Sequence, residues 1–545
     1  MNPVITELAR VTKLSKKQVK ELIEKPPSKL GDLAFPCFTL SKQYKKDPKS
    51  IAEEITSKIK TKGLIKEVRA IGPYVNIFYN QDEFANKVIK RLELIKKTVK
   101  KKIMVEFFHP NTHKGVHIGH ARNLFTGESI SRILEEKGVN VVRVTYGGDI
   151  GPHVAKCLWG YMNLGLKPTG DKGEWLGKIY AKANNKSTNN KSLQEEIRDI
   201  NKKLYSGNKK LLNLLDKTKQ WSIDHIKKMA QLSNTKFDAY IWESQVEKQG
   251  LKIAKQLTKK GVLKESQGAI IADLEKYKLG IMVIVTKDGT PLYPAKDLGL
   301  VKYEFEKFKV DKIIHVVGTE QSFYFQQLFK VFELAGWSEW AENSIHRAYE
   351  LVGLRQGKMS SRLGNVVLFR ELYDKMLELA KKELKERYNK VTESLAHEVT
   401  ISALKFGMLN HDLNKKILFD YKEWLSFEGN TGPYIQYSFV RANKILKKAG
   451  EVKASKIRIE KEQEYELVKK LNDFNKEFKE AYNKLDPSLI AHYALSLANA
   501  FNKFYEHCPV INSELKNSRI QIVKAFVKVM SRVIHLLGLK PMKKM

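Results

Sequence analysis

No apolar run in this 545-residue chain approaches the ~20 residues needed to cross a bilayer. The opening segment MNPVITELARVTKLSKK lacks the apolar core of a secretory signal, so a soluble, cytoplasmic protein with no membrane partner is expected. Cysteine is scarce. Cys37, Cys157 and Cys508 lie far apart without a C-x-x-C pair, so neither a disulfide framework nor a zinc knuckle is suggested, and no metal site is assigned. Acid is also in deficit: 61 Asp plus Glu stand against 98 Lys plus Arg, a net charge of +37. That excess goes beyond what solubility needs and points to a polyanionic partner, nucleic acid first, although lysines that merely solvate helix faces would account for part of it. Long-period repeats are missing as well.

What is present is alternation. Residues 1–98 read as a small α/β unit, with helical patterns before Lys25, a helix from about Ile51 to Lys62 and a strand-like AIGPYVNIFYN. From Lys102 the order is apolar IMVEFF, a helix from Ile118 to Lys137 stopped by Gly138, then VNVVRVTY, which is a βαβ unit. The expected fold is therefore α/β, a Rossmann-like, doubly wound parallel sheet within residues 99–365. A charged, helical insertion is expected at about 155–265, with an exposed loop from Asn184 to Lys191. Strand signals resume at GAIIADL, GIMVIVT and KIIHVVGT and complete the sheet late. From about Val366 the pattern is helical, giving a connecting region at 366–425 and an all-α bundle at 426–545.

The first candidate site is EFFHPNTHKGVHIGHARN, between the first strand of this sheet and its helix, where open parallel sheets bind ligands. G-x-G-x-x-G is absent from it, which disfavours a dinucleotide. His117 and His120 flank Ile118 and Gly119 at the helix start, where free N–H groups and the helix dipole favour an anion. Gly119 leaves room for a base or ribose. Two histidines three apart could equally be metal ligands, caps or packing residues. The strand-to-helix setting favours a phosphate site.

In that setting the tetrapeptide resembles the first signature, HIGH, of the class I aminoacyl-tRNA synthetases. GLRQGKMSSRLGNVV, residues 353–367, resembles their mobile KMSKS loop, with Lys358, Met359, Ser360 and Ser361 as its core. Glycines 353, 357 and 364 would let such a loop close over a triphosphate, and Lys358 would meet charge developing on the leaving pyrophosphate. One departure stands out: Ser361 occupies the place of the second lysine. The arginyl members of the class often share that loss together with a lysine just upstream of HIGH, and Lys114 stands there.

Other elements resemble the arginyl-tRNA synthetase family more specifically. Glu106-Phe-Phe-His-Pro-Asn111-x-x-Lys114-x-x-His117 is similar to its first-signature region, and Tyr293-Pro-Ala-Lys-Asp297 to its Tyr-x-x-x-Asp element. A guanidinium is best held by paired carboxylates. By the resemblance Glu106 and Asp297 would grip it, Asn111 would contact the α-groups, Tyr293 would line the pocket with His117, and Gln321 would add a contact. Without it, Glu106 and Asp297 would read as a strand-end charge and a helix cap. The amino-terminal unit resembles the family's additional tRNA-binding domain, with Asn76 and Phe78 as candidates to meet an exposed base. FEGNTGPYIQYSFVRANKIL resembles the start of its anticodon-binding domain, with Tyr434, Gln436, Tyr437 and Arg441 as candidates, although tyrosines at that spacing are as often core.

The resemblance covers nearly the whole chain and is weakest over 165–265. It implies ATP-dependent ligation of L-arginine to tRNA(Arg) through an adenylate, with Mg²⁺ on the phosphates, in a monomer whose first step needs bound tRNA. Two rivals remain open: another enzyme on the same fold, and an inert RNA-binding paralogue. Retention of His117, His120, Lys358 and Asp297 argues against the second, since a pure binder needs no cation for a leaving group.

Overall fold

Two runs of alternating residues, β2 (Ile65–Ile71) and β3 (Tyr74–Tyr79), fold back on each other at Gly72, whose φ of +57° is the left-handed backbone a tight turn demands. β1 (Leu33–Pro36) takes the other side of β3, giving an antiparallel order β1-β3-β2. The helix Pro48–Lys58 covers this sheet; Asp47 caps it by accepting from the Lys49 and Ser50 N–H groups. Ile51 and Ile55 then bury against Phe35, Val75 and Ile77.

The computed structural model describes residues 3–92, 95, 97–354, 367–388, 391–451 and 455–542. They form two compact units. One comprises Met1–Leu94, Arg441–Phe474 and Asn499–Val529; the other comprises Ile95–Val440, Asn475–Ala498 and Met530–Met545.

In the second unit β4 (Lys102–Glu106), β5 (Asn140–Gly147) and β6 (Ala239–Trp242) are followed by β7 (Lys264–Ser266), β8 (Ala269–Asp273) and β9 (Ile281–Val285), then β10 (Lys312–Gly318) and β11 (Ser344–Tyr349). Five strands build a parallel sheet in the order β11-β10-β4-β5-β6. Continuous apolar runs such as Ile103-Met104-Val105 and Ile313-Ile314 are buried, as strands covered on both faces must be. The chain runs outward from β4 in one direction and from β10 in the other, so the order reverses between these two neighbours. A crevice opens there, beyond the strands' carboxyl ends. Glu106 ends β4 and lies in register with His315 of β10.

Four expectations need correction. Ala239–Trp242, within the segment taken as an insertion, is the fifth strand of the parallel sheet. The helices Lys172–Ser187, Lys191–Tyr205 and Lys209–Leu232 form a helical block against which Pro152–Asn163 packs. GAIIADL and GIMVIVT do form strands, but β8 and β9 pair antiparallel with β7 in a separate three-stranded sheet. The Asn184–Lys191 loop is shorter than expected: the helix runs on to Ser187, and Asn190 caps the next one. Among the described residues, the helical reading beyond Val366 is interrupted by the strand Ile417–Phe419, paired with Val352–Leu354. The three cysteines are buried and unpaired.

Candidate active site

Between β4 and the helix Ile118–Glu136 the backbone is unusual. Phe108, His109 and His113 all carry positive φ, at 83°, 50° and 61°. Such conformations cost free energy and persist only where surroundings over-determine them. Here the Phe108 N–H donates to Asn123 Oδ1 at 2.5 Å, and the buried His113 ring is held by Thr112 and Thr218 hydroxyls. The result aims Glu106, Asn111 and the helix start into one cavity of about 590 Å³.

His117 caps this helix, its Nδ1 accepting from the Gly119 N–H at 3.1 Å. His120 Nδ1 in turn accepts from the His117 N–H at 3.1 Å, and the two rings stack with centroids 3.7 Å apart. With both Nδ1 atoms acting as acceptors, the proton of each neutral ring sits on Nε2, leaving that N–H to donate elsewhere. Neutrality is enforced: burial, with Lys114 nearby, brings His117 down to about 4, and burial drives His120 well below the usual histidine value. A Cβ on Gly119 would stand 3.0 Å from the His117 ring, so the glycine keeps this cap in place.

Four acids that are buried or half-buried line the same cavity: Glu106, Glu243 and Glu304, which are buried, and Asp297, which is half-buried. His315 Nδ1 lies 2.7 Å from Glu106, which opposes the effect of burial and, with His109, holds this carboxyl below its ordinary value. The Tyr324 hydroxyl donates to Asp297, yet burial lifts that acid to about 7. Glu243 accepts from Lys296 at 2.5 Å and is raised by burial. Asn111 Oδ1 accepts from the Gly148 N–H at 2.7 Å, clamping the loop after β5. Tyr293, 66 % exposed, and Gln321 complete the rim.

The cavity thus gathers Glu106, Asn111, His117, Gly119, His120, Tyr293, Asp297 and Gln321. Lys114 does not line it, but is near enough to depress both histidines, with its Nζ 5.3 Å from the Tyr180 ring centroid. Burial, with Lys156, lowers its own pKa. Lys358, Met359, Ser360 and Ser361 lie outside the described residues.

Elsewhere, Asn76 is buried on β3, two residues from a half-buried Phe78 whose ring carries the Arg69 guanidinium at 4.7 Å. Tyr434 and Tyr437 are half-buried on the helix Gly432–Ala449. Arg441 donates to Asn502 at 2.9 Å and lies over the Tyr505 ring. Gln436 is a correction. Its side chain has no exposed surface, its amide donates to Ser402 Oγ and Lys540 O, and it accepts from the Met542 N–H, so it cannot read a base.

Sequence reasoning missed Glu243, Glu304, His315 and Tyr324. The signal for Glu243 was the apolar AYIW just before ESQV, a strand-to-helix turn like the one before His117. Glu304 lies seven residues after Asp297 on the helix Tyr293–Phe308, two turns along the same face.

Three family models match the chain. That for tRNA synthetases class I (R), catalytic domain, covers residues 84–423; the DALR anticodon binding domain covers 435–545; and the arginyl tRNA synthetase N terminal domain covers 3–79. The arginine–tRNA ligase of Bdellovibrio bacteriovorus is 36% identical over 552 aligned residues, spanning 96% of this chain and 94% of the relative. That of Clostridium perfringens is 34% identical, spanning 98% and 97%. The solved Thermus thermophilus arginyl-tRNA synthetase superposes with a TM-score of 0.82 at 25% identity, covering 100% of this chain and 99% of that one.

Proposed function

Since the chain belongs to the class I arginyl-tRNA synthetase family, we infer that its cavity holds L-arginine beside ATP. The enzyme ligates arginine to tRNA(Arg) with ATP, releasing AMP and diphosphate. One observation carries the assignment of the pocket: Glu106 and Asp297, from different elements of the fold, line a single cavity adjoining the neutral imidazoles of a helix start. Paired acids suit a planar cation, and the helix start suits a polyphosphate.

In this reading Glu106 and Asp297, with Glu243 nearby, bind the guanidinium. Asn111 and Gln321 meet the α-groups, and Tyr293 closes the side-chain pocket. The arginine carboxylate attacks the α-phosphorus; a P–O bond forms as the α–β bridge breaks and its electron pair leaves on diphosphate. His117 and His120 donate their Nε2–H groups to phosphate oxygens, Gly119 lets the nucleotide approach, and Lys114 and Lys358 supply cationic charge. Met359, Ser360 and Ser361, next to Lys358 in sequence, would contact the nucleotide as well. A ribose hydroxyl of the tRNA then displaces AMP. Mg²⁺ would ride on the ATP phosphates and water, as that ion prefers, with no side chain assigned to it.

For the tRNA, residues 1–98 would supply the additional domain through Phe78 with Asn76 beside it, and 426–545 the anticodon contacts through Tyr434, Tyr437 and Arg441. Residues 99–365 and 366–425 would be the catalytic and connecting parts. No described helix is long and apolar enough to cross a membrane; a cytoplasmic monomer is the proposed working form. The test is tRNA-dependent ATP–pyrophosphate exchange with each amino acid in turn. Arginine alone should support it, and exchange driven by another amino acid would overturn the pocket assignment.

A further inference from the structure

Of the four acids in the cavity, three already have partners: Glu106 has His315, Glu243 has Lys296 and Asp297 has Tyr324. Glu304 has none. Its side chain has no exposed surface, and neither carboxylate oxygen finds a hydrogen-bond partner among the described residues. Two more lining atoms share that condition, Tyr146 Oη and His315 Nε2. Leaving a buried polar group without a partner is costly, and leaving a buried acid so is costlier still, so such a cluster calls for a ligand or ordered water.

Donor counting says which. A guanidinium carries five N–H donors in a fixed fork, and two bidentate carboxylates take four of them. We propose that Glu304 is a specificity-determining residue of the arginine pocket, accepting, directly or through one water, the guanidinium donor that Glu106 and Asp297 leave over. The proposal rests on the reading of this cavity as an arginine site and extends it to an acid that neither the signature motifs nor the pocket elements include. Burial, together with Glu106 and Asp297, pushes Glu304 well above the usual carboxylate range, which favours its neutral form in the free pocket. Asp297 lies two turns earlier on the same helix, which places both acids along one wall.

The experiment compares the parent chain with Glu304→Gln and Glu304→Leu in tRNA-dependent ATP–pyrophosphate exchange, with thermal melting alongside. Both variants should raise KM for arginine about tenfold or more, as loss of a hydrogen bond between charged groups does, with KM for ATP unchanged. Glu304→Leu should also melt higher than the parent, because it removes an unpartnered buried acid, and a purely structural role predicts the opposite. An arginine KM within twofold of the parent in Glu304→Gln would overturn the proposal, as would a matching rise in the ATP KM. Failure of the parent to use arginine would instead overturn the pocket reading itself.

Discussion

Glu106 and His315 sit opposite each other on adjacent parallel strands, with His315 Nδ1 2.7 Å from the Glu106 carboxylate. The pair lies where strand order reverses, so the carboxylate is oriented before any ligand enters. Asp297 instead accepts a hydrogen bond from the Tyr324 phenol. Two acids of one cavity are therefore set apart: one is held below its ordinary pKa by imidazoles, the other lifted to about 7 by burial.

Arginine binding should follow that split. Below about 7 Asp297 is neutral, above it ionised, and a guanidinium favours the ionised form. Facing it are the acids Glu106, Glu243 and Glu304 and the phenol of Tyr146, while the Tyr324 hydroxyl and His315 pull the other way and burial outweighs them. KM for arginine should fall roughly tenfold from pH 6 to pH 8 and level off above the transition. The folded carboxyl lies above its unfolded value of about 3.9, so its contribution to stability is complete below that value and lost as pH rises through about 7. The free chain should melt lower at pH 8 than at pH 6, and saturating arginine should narrow the gap. A flat KM across this range would contradict the assignment.

Asp297→Asn removes the charge and keeps the shape. It leaves the guanidinium short of one ion pair, a loss that raises KM for arginine roughly a hundredfold. ATP affinity should hold within twofold, and the pH dependence above should disappear. Steady-state exchange at pH 6, 7 and 8 checks all three.

Legibility in the sequence followed distance along the chain. The β4–helix–β5 unit announced itself because its apolar runs, cap and stop lie within a few dozen residues. β6 did not: four residues long, it pairs Ala239 with Val144, and a charged helical stretch lies between. Glu243 was hidden with it. Glu304 was masked for another reason. In YEFEK a helical pattern cannot say whether Glu304 or Glu306 turns inward, and the packing against the parallel sheet decides. Gln436 shows the same limit, since the backbone that buries its amide comes from Lys540 and Met542. The acid pair was readable only through motif likeness, for nothing local in Tyr293–Asp297 predicts a buried carboxylate.

Gln436→Ala separates stability from recognition. Three hydrogen bonds from a side chain with no exposed surface are lost, at a cost of about 1–3 kcal/mol. Melting should fall by several degrees while KM for tRNA at permissive temperature stays within twofold. A selective rise in the tRNA KM with unchanged melting would restore Gln436 to the interface.

Gly119→Ala should do the reverse. Alanine favours helix by roughly 0.5–1 kcal/mol, which offsets the weakened cap, so melting should hold within about a degree or two. The new methyl meets the His117 ring at 3.0 Å and pushes it from its cap. Exchange should fall at least tenfold, since an imidazole displaced by a few tenths of an ångström no longer aims its Nε2–H at the phosphate.

Lys114 tests how the absent lysine of the Lys358–Ser361 segment is made good. Its charge reaches His117 and His120 without the side chain lining the cavity, so it is placed to act on the polyphosphate at the helix start through the field rather than by packing. Charge that develops on departing diphosphate is felt in the transition state more than in the bound ground state. Lys114→Ala should therefore slow exchange by tenfold or more while KM for ATP shifts less than threefold, and Lys114→Arg should recover part of the rate. Loss of ATP binding in proportion to rate would mean that the lysine merely holds the nucleotide, and a rate within twofold of the parent would remove its part in the chemistry.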